Sequence, residues 1–340
     1  MSARLTPAAG EAVRQGQPLA RRLVVLGVAF VVFLGVGGCS AKAKPDARVE
    51  LAAAISLTRS HDLYAGNVDW STAVPQAYAE LGSRTAPSAA DLPISELLSQ
   101  LHDKHARLIP VGAAAGPSLD PAAPLPSATI SGDVAILTMP GWSGTPGQGQ
   151  RYVRAAWQAF DQDQPACGWV VDLTDNGGGD LWPMLAGAEP LLTLPEPVGA
   201  QIPGQPVQMF EVTGGTVTED GHRQAYGAPP ERVSAPIAVL TGRFTTSSGE
   251  WLVLALKSNP AVRTFGEPTA GAPTSPDLFR LPDAAQLELA VSASIDTHGS
   301  QHTTPLVPDA VTTTLALTPV GGHLVREDVH HGKSASGVHS

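Results

Sequence analysis

Between Asp133 and Ile295, short uncharged apolar runs alternate with stretches of helical period, and this alternation most restricts the fold. Asp133-Val134-Ala135-Ile136-Leu137, Gly168–Leu173, Ile237-Ala238-Val239-Leu240, Val262–Phe265 and Leu287–Ile295 read as strands, and Tyr152–Phe160 and Ser247–Lys257 as helices. Apolar runs without polar alternation belong to strands covered on both faces, so an α/β core is expected. Gly199–Arg232 is rich in Gly and Pro and is expected to hold only short strands such as Val207–Val212. No stretch repeats at a fixed period, which argues against solenoids and propellers.

From Arg48 to Leu108 the pattern is helical. Ser71 and Thr72 can cap a helix running to about Leu81, and Asp91, with Pro93 just inside, can start another through Leu97, Leu98 and Leu101. Residues 110–127, dominated by Gly, Ala and Pro, read as a connecting loop, and the tail from Gly321 onward has no period and reads as loose. The expected organisation is residues 1–38 as signal peptide, 39–47 as tether, 48–110 as a helical N-terminal region, 128–320 as the core and 321–340 as a disordered tail.

The first 38 residues read as an address rather than as fold. Arg4, Arg14, Arg21 and Arg22 precede Leu23–Gly38, an uncharged run of 16 residues that is short for a spanning helix and suits a signal-peptide core. It ends Val36-Gly37-Gly38-Cys39, which resembles a bacterial lipobox with Cys39 as the lipidated residue. The body is then expected outside the cytoplasm, anchored to the cell membrane through the lipid alone, or secreted. Removing four Arg and one Glu from 21 basic and 31 acidic residues leaves 17 and 30, a net charge of -13. An acidic body lacks the clustered cations that nucleic acid or anionic lipid requires. Cys167, the one other cysteine, sits in an apolar run and reads as a small buried hydrophobe.

Two strand-to-helix junctions carry potential chemistry. The first, Val170-Val171-Asp172-Leu173-Thr174-Asp175-Asn176-Gly177-Gly178-Gly179-Asp180, lets the backbone turn sharply and present N–H groups to a ligand oxygen. It lacks the Gly-Lys-Ser/Thr of a phosphate loop, and counting from Asp172 places Pro183 where a calcium loop needs its acid. The second, Thr241-Gly242-Arg243-Phe244-Thr245-Thr246-Ser247-Ser248-Gly249-Glu250, puts a serine at a helix start, where free N–H groups favour a developing oxyanion. The same residues also make a capping box of Ser247 or Ser248 with Glu250. The Gly-x-Ser-x-Gly pattern of ordinary α/β-hydrolases is absent. A serine nucleophile needs a base, and His105 is one candidate among ten histidines. His102 and His105 have metal-ligand spacing but no convincing third ligand, so no metal and no cofactor is expected.

Five segments in order resemble the C-terminal processing peptidases, or tail-specific proteases. They are the glycine turn, Thr-Ser-Ser-Gly-Glu, Phe265-Gly266-Glu267-Pro268-Thr269-Ala270-Gly271, Asp296-Thr297-His298-Gly299 and Pro305-Leu306-Val307-Pro308-Asp309. Val68-Asp69-Trp70 and Asp103-Lys104-His105 resemble the tricorn-like branch. The similarity spans roughly Arg48 to Asp309. It implies a crotonase-like (ClpP/crotonase-type) α/β peptidase core preceded by a small helical region, and a polypeptide substrate. It implies Ser247 as nucleophile, His105 as base, and the backbone N–H groups of Ser248 and Gly178 as the oxyanion hole.

The sequence also departs from that family. The lysine of its Ser–Lys members falls on Ala272, and the glutamate of the tricorn-like branch falls on His302. Lys257 is ten residues along the helix from Ser247 and should point elsewhere. Glu250 and Asp103 are therefore the candidates for an acid that orients His105. Only about 20 residues separate His105 from the first core strand, too few for a PDZ domain. A second reading is an inactive relative that binds a peptide or apolar ligand near Trp142, Trp169, Trp182, Met184 and Leu185.

Overall fold

The computed structural model describes residues 46–113, 124–160, 167–312, 319–320 and 323–324. The signal peptide and Cys39 lie outside the described residues. In chain order the elements begin with helices α1 (Ala47–His61), α2 (Trp70–Leu81) and α3 (Asp91–Ser99) and strands β1 (Arg107–Ile109), β2 (Ser127–Ser131) and β3 (Val134–Thr138). Then come α4 (Pro146–Trp157), β4 (Gly168–Asp172), α5 (Leu181–Ala188), β5 (Val198–Gln201), β6 (Gln208–Thr213), β7 (Thr216–Glu219) and β8 (His222–Ala225). The chain continues through β9 (Ile237–Thr241), α6 (Ser248–Lys257), β10 (Val262–Gly266), β11 (Thr274–Arg280), β12 (Gln286–Ile295), β13 (Gln301–His302) and β14 (Ala310–Val311).

One sheet runs β14-β10-β9-β4-β3-β2. Its central neighbours are parallel, with Leu137 opposite Val171 and Val171 opposite Val239, while β2 is antiparallel to β3. Helices α4, α5 and α6 connect successive parallel strands, which places this part of the chain in the alternating α/β class. Trp169, Val171, Ile237 and Val239 turn one way into a core shared with Tyr152, Met184, Leu185 and Leu252. Val170, Ala238 and Leu240 turn the other way. Val171, Val239 and Leu252 are fully buried, and each such side chain stabilises the fold by about 1.5–3 kcal/mol.

The second sheet is ordered β1-β12-β5-β6-β7-β8, with β11 and β13 also on β12. The segment from Gly199 to Arg232 is thus an antiparallel meander whose strands are four to six residues long. Helices α1 to α3 cover this sheet: Leu51, Ile94, Leu97 and Leu101 pack with Leu281, Leu287 and Leu289. Strand β1, directly after the helices, pairs Arg107 with Glu288 and Ile109 with Gln286. That pairing carries the residues just before it, including His105, onto the sheet.

Local signals explain most helix starts. Asp46 accepts N–H bonds from Arg48 and Val49, both at 2.9 Å, and Asp69 caps α2 through Ser71. Helix α4 begins six residues before the expected Tyr152, because Thr145 and Gln148 close a capping box with Pro146 at the first helical position. Pro319–Val320, at the end of the expected core, pairs with His323–Leu324 in the tail expected to be loose.

Candidate active site

The two junctions singled out in the sequence follow β4 and β9, neighbouring parallel strands, and meet where their carboxyl ends emerge. Open α/β sheets place ligand sites at this edge. The loop Gly242–Thr246 is rigidly held. Thr245, fully buried, donates from its hydroxyl to the Leu173 carbonyl at 2.7 Å and accepts the Gly242 N–H at 3.0 Å. Ser247 follows with φ 52° and ψ -122°, a left-handed backbone that a non-glycine residue rarely adopts. Such a conformation costs on the order of 1–3 kcal/mol and persists only where its surroundings impose it.

Those surroundings can be named. The Ser247 N–H donates to Glu250 Oε2 at 2.9 Å. The same carboxylate, fully buried, accepts the Thr269 hydroxyl at 2.5 Å, the Gly271 N–H at 2.9 Å and the Ala272 N–H at 2.8 Å. Four donors therefore converge on Glu250, which ties the serine junction to the loop 269–272. Its oxygens are taken up by these bonds, and none goes to His105. Ala272, at the family lysine position, contributes only its backbone.

Across from the serine stands the glycine turn. A Cβ on Gly178 would lie 2.8 Å from the Thr246 carbonyl and 2.9 Å from Ser247 Cβ, so only glycine fits, and its φ is 83°. The Ser248 hydroxyl donates to the Gly179 carbonyl at 2.6 Å. The Gly178 N–H, expected to face an oxyanion, donates to Asn176 Oδ1 at 3.0 Å. Asn176 is fully buried and also gives its Nδ2 to the Met139 carbonyl at 3.0 Å, while its own carbonyl accepts the Thr246 N–H at 3.0 Å. Sequence analysis assigns this asparagine no role, yet it joins the two junctions. Gly249 is glycine for the same reason, since a Cβ there would meet the Asn176 carbonyl at 2.7 Å.

His105 reaches this cluster from the other sheet. Its neighbour Lys104 hydrogen-bonds the Ala270 carbonyl, and the Ala270 N–H donates to Thr245 O at 2.8 Å. The chain around His105 thus rests on the loop that Glu250 fastens to Ser247. The His105 backbone N–H donates to Asp103 Oδ1 at 2.9 Å, and Asp103 Oδ2 accepts Ala290 N–H at 3.1 Å. The ring atom Nε2 is buried and has no hydrogen-bond partner. The ring is bonded to neither candidate orienting acid: Glu250 is filled by other donors and Asp103 serves backbone groups. Nor is it bonded to the Ser247 hydroxyl, although such pairs often close only around substrate.

His302, at the family glutamate position, bonds Asp296 Oδ2 through Nε2 at 3.0 Å. It lines a cavity of about 290 Å³ with Lys257, Ser258, His298 and Leu306, at the opposite end of α6 from Ser247. Lys257 bonds Asp309 at 3.0 Å and is removed from the serine. Among the described residues no group of three His, Cys, Asp or Glu could hold a metal ion, and no helix is long and apolar enough to cross a membrane.

Residues 133–312, more than half of the chain, match the family model described as Peptidase family S41. The Nisin-resistance protein of Lactococcus lactis subsp. lactis is 31% identical over 191 residues, covering 55% of this chain and 59% of that protein. The match thus spans less than two thirds of that relative. A lipoprotein from Streptococcus agalactiae is similar in structure with TM-score 0.62 and 19% identity, covering 83% of this chain and 95% of that one. The photosystem II D1 C-terminal processing protease gives TM-score 0.53 and 15% identity over 78% of this chain and 92% of that one. At these identities the structural likeness is one of fold.

Proposed function

Because the chain belongs to peptidase family S41, we propose that it is a serine peptidase with a crotonase-like core that hydrolyses peptide bonds outside the cytoplasm. The observation that carries this reading is Ser247 itself. It sits at a helix N-terminus in a strained backbone, its N–H clamped by a buried carboxylate and its Cβ against a glycine that admits no side chain. Strain maintained by so many bonds at a polarised helix start suits a nucleophile better than a cap.

In the proposed reaction His105 Nε2 takes the Ser247 hydroxyl proton as Oγ attacks the peptide carbonyl carbon. The carbonyl π electrons move onto oxygen, and the Ser248 N–H receives the oxyanion together with the Gly178 N–H, which is shared with Asn176 Oδ1. The C–N bond then breaks, His105 returns the proton to the leaving amine, and water hydrolyses the acyl-enzyme by the same steps. The buried, unpartnered Nε2 supports His105 as base. Cys39 would carry the lipid anchor, and the sequence similarity to a protein named for nisin resistance makes a nisin-type peptide the first substrate to test.

A second reading is an inactive relative that binds peptide or apolar ligands. It draws on Ala272 and His302 at the family's lysine and glutamate positions and on a His105 ring without an acid. The discriminating experiment incubates the folded chain and Ser247→Ala with a peptide mixture and reads the fragments by mass spectrometry. Cleavage by the wild type alone is expected; cleavage by both, or by neither, contradicts the assignment.

A further inference from the structure

We propose that Asp62 and Asp103 share one buried proton as a carboxylic acid–carboxylate pair that fixes the segment bearing His105, so that Asp62 is a positioning residue for the base. This rests on the reading of His105 given above. Asp62 follows the last turn of α1 and is 7% exposed. Its Oδ1 accepts the Tyr64 N–H at 2.8 Å, and its Oδ2 is buried with no donor. Ala290 on β12 brings the two acids together: its carbonyl accepts the Leu63 N–H at 2.9 Å, and its N–H goes to Asp103 Oδ2 at 3.1 Å. Both acids are thus anchored on one residue of β12, and the Asp103 carboxylate acts on Asp62 through its charge and a side-chain hydrogen bond.

Two adjacent ionised carboxylates repel, and one proton between them turns repulsion into a charge-assisted O–H···O bond. The proton belongs on Asp62. Both Asp103 oxygens already accept backbone N–H bonds, whereas the Asp62 Oδ2 has no donor. The neighbouring groups named by these contacts are turned away or are carboxyls: Tyr64 donates its hydroxyl to the Thr303 carbonyl at 2.9 Å, Glu250 lies beyond it, and Lys104 is turned to Ala270. Burial, followed by the charge of Asp103, pushes the Asp62 carboxyl up to about 7. Since the Asp103 carboxylate also holds the His105 N–H, the shared proton stiffens the turn that aims the imidazole. Loss of that proton leaves two charges that push apart and release His105.

The test follows the rate at which a fluorophosphonate labels the full chain between pH 5 and 9. In the wild type the rate rises and then falls above about pH 7. In Asp62→Asn, whose amide donates to Asp103 at every pH, the alkaline fall disappears. In Asp62→Ala labelling slows at least tenfold throughout; should that variant not fold, Asp62→Asn alone decides. Infrared spectra at pH 6 should show carboxylic acid C=O absorption, part of it from Glu50, that is diminished in Asp62→Asn and unchanged in Ser247→Ala. Superimposed wild-type and Asp62→Asn pH profiles, or infrared absorption undiminished in Asp62→Asn, would overturn the pair. If Ser247 is never labelled, the peptidase reading fails, and the infrared comparison still decides the shared proton.

Discussion

The Ser248 hydroxyl donates to the Gly179 carbonyl at 2.6 Å, and this bond fastens the glycine turn after β4 to the first turn of α6. Removing it in Ser248→Ala should cost about 1 kcal/mol of stability, the net worth of one neutral hydrogen bond. Turnover should fall more, roughly ten- to a hundredfold, because the oxyanion donors on the two segments lose their registration. Paired denaturation and steady-state measurements check this; equal losses in both would contradict a positioning role.

Glu250 receives four donors in a site closed to water. In Glu250→Gln one oxygen becomes an amide NH₂ that faces N–H or O–H donors. The variant should lose about 2–5 kcal/mol, since buried donors are left unsatisfied, and should lose activity with it. The urea midpoint measures the first quantity and fluorophosphonate labelling the second.

Neighbouring glycines should respond very differently. A Cβ at Gly178 collides with Thr246 and Ser247, whereas a Cβ at Gly177 meets nothing within 4 Å. Gly178→Ala is expected to abolish activity, and Gly177→Ala to retain it within a few-fold. Comparable activities of the two variants would show that the turn does not stand against the serine.

Stability should depend on pH through two buried acids. Burial, then the charge of Asp283, raises Glu50 from its ordinary 4.5 to about 7, and burial, then Asp103, raises Asp62 from 3.8 to about 7. Folded values above unfolded ones mean that their contribution is complete in acid and is lost as pH rises through about 7. The chemical-denaturation midpoint is therefore expected to fall between pH 5 and 8, and Glu50→Gln and Asp62→Asn should each flatten the slope. A slope unchanged in both variants would contradict this.

The legible and illegible parts of the chain differ in physical kind. Val170-Val171 and Val239-Leu240 announce β4 and β9 because a strand buried on both faces needs no polar alternation. Strand β2, Ser-Ala-Thr-Ile-Ser, and β11, bulged between Ser275 and Pro276, carry no such run and are set by their partners β3 and β12. The serine at a helix start and the glycines opposite it can be read because cap and turn chemistry is local. Asn176, Thr269 and Asp62 escape notice because their partners, Met139, Glu250 and Asp103, lie 19 to 41 positions away in sequence. Neither Glu250 nor Asp103, the two acids proposed to orient His105, is bonded to its ring; both hold backbone groups instead.

The most direct test of the central claim is peptide-level mass spectrometry of the folded chain after reaction with a fluorophosphonate. A single adduct on Ser247, lost in Ser247→Ala and slowed at least a hundredfold in His105→Ala, is the predicted result. An adduct on another residue, or labelling of Ser247 that is indifferent to His105, would contradict the account.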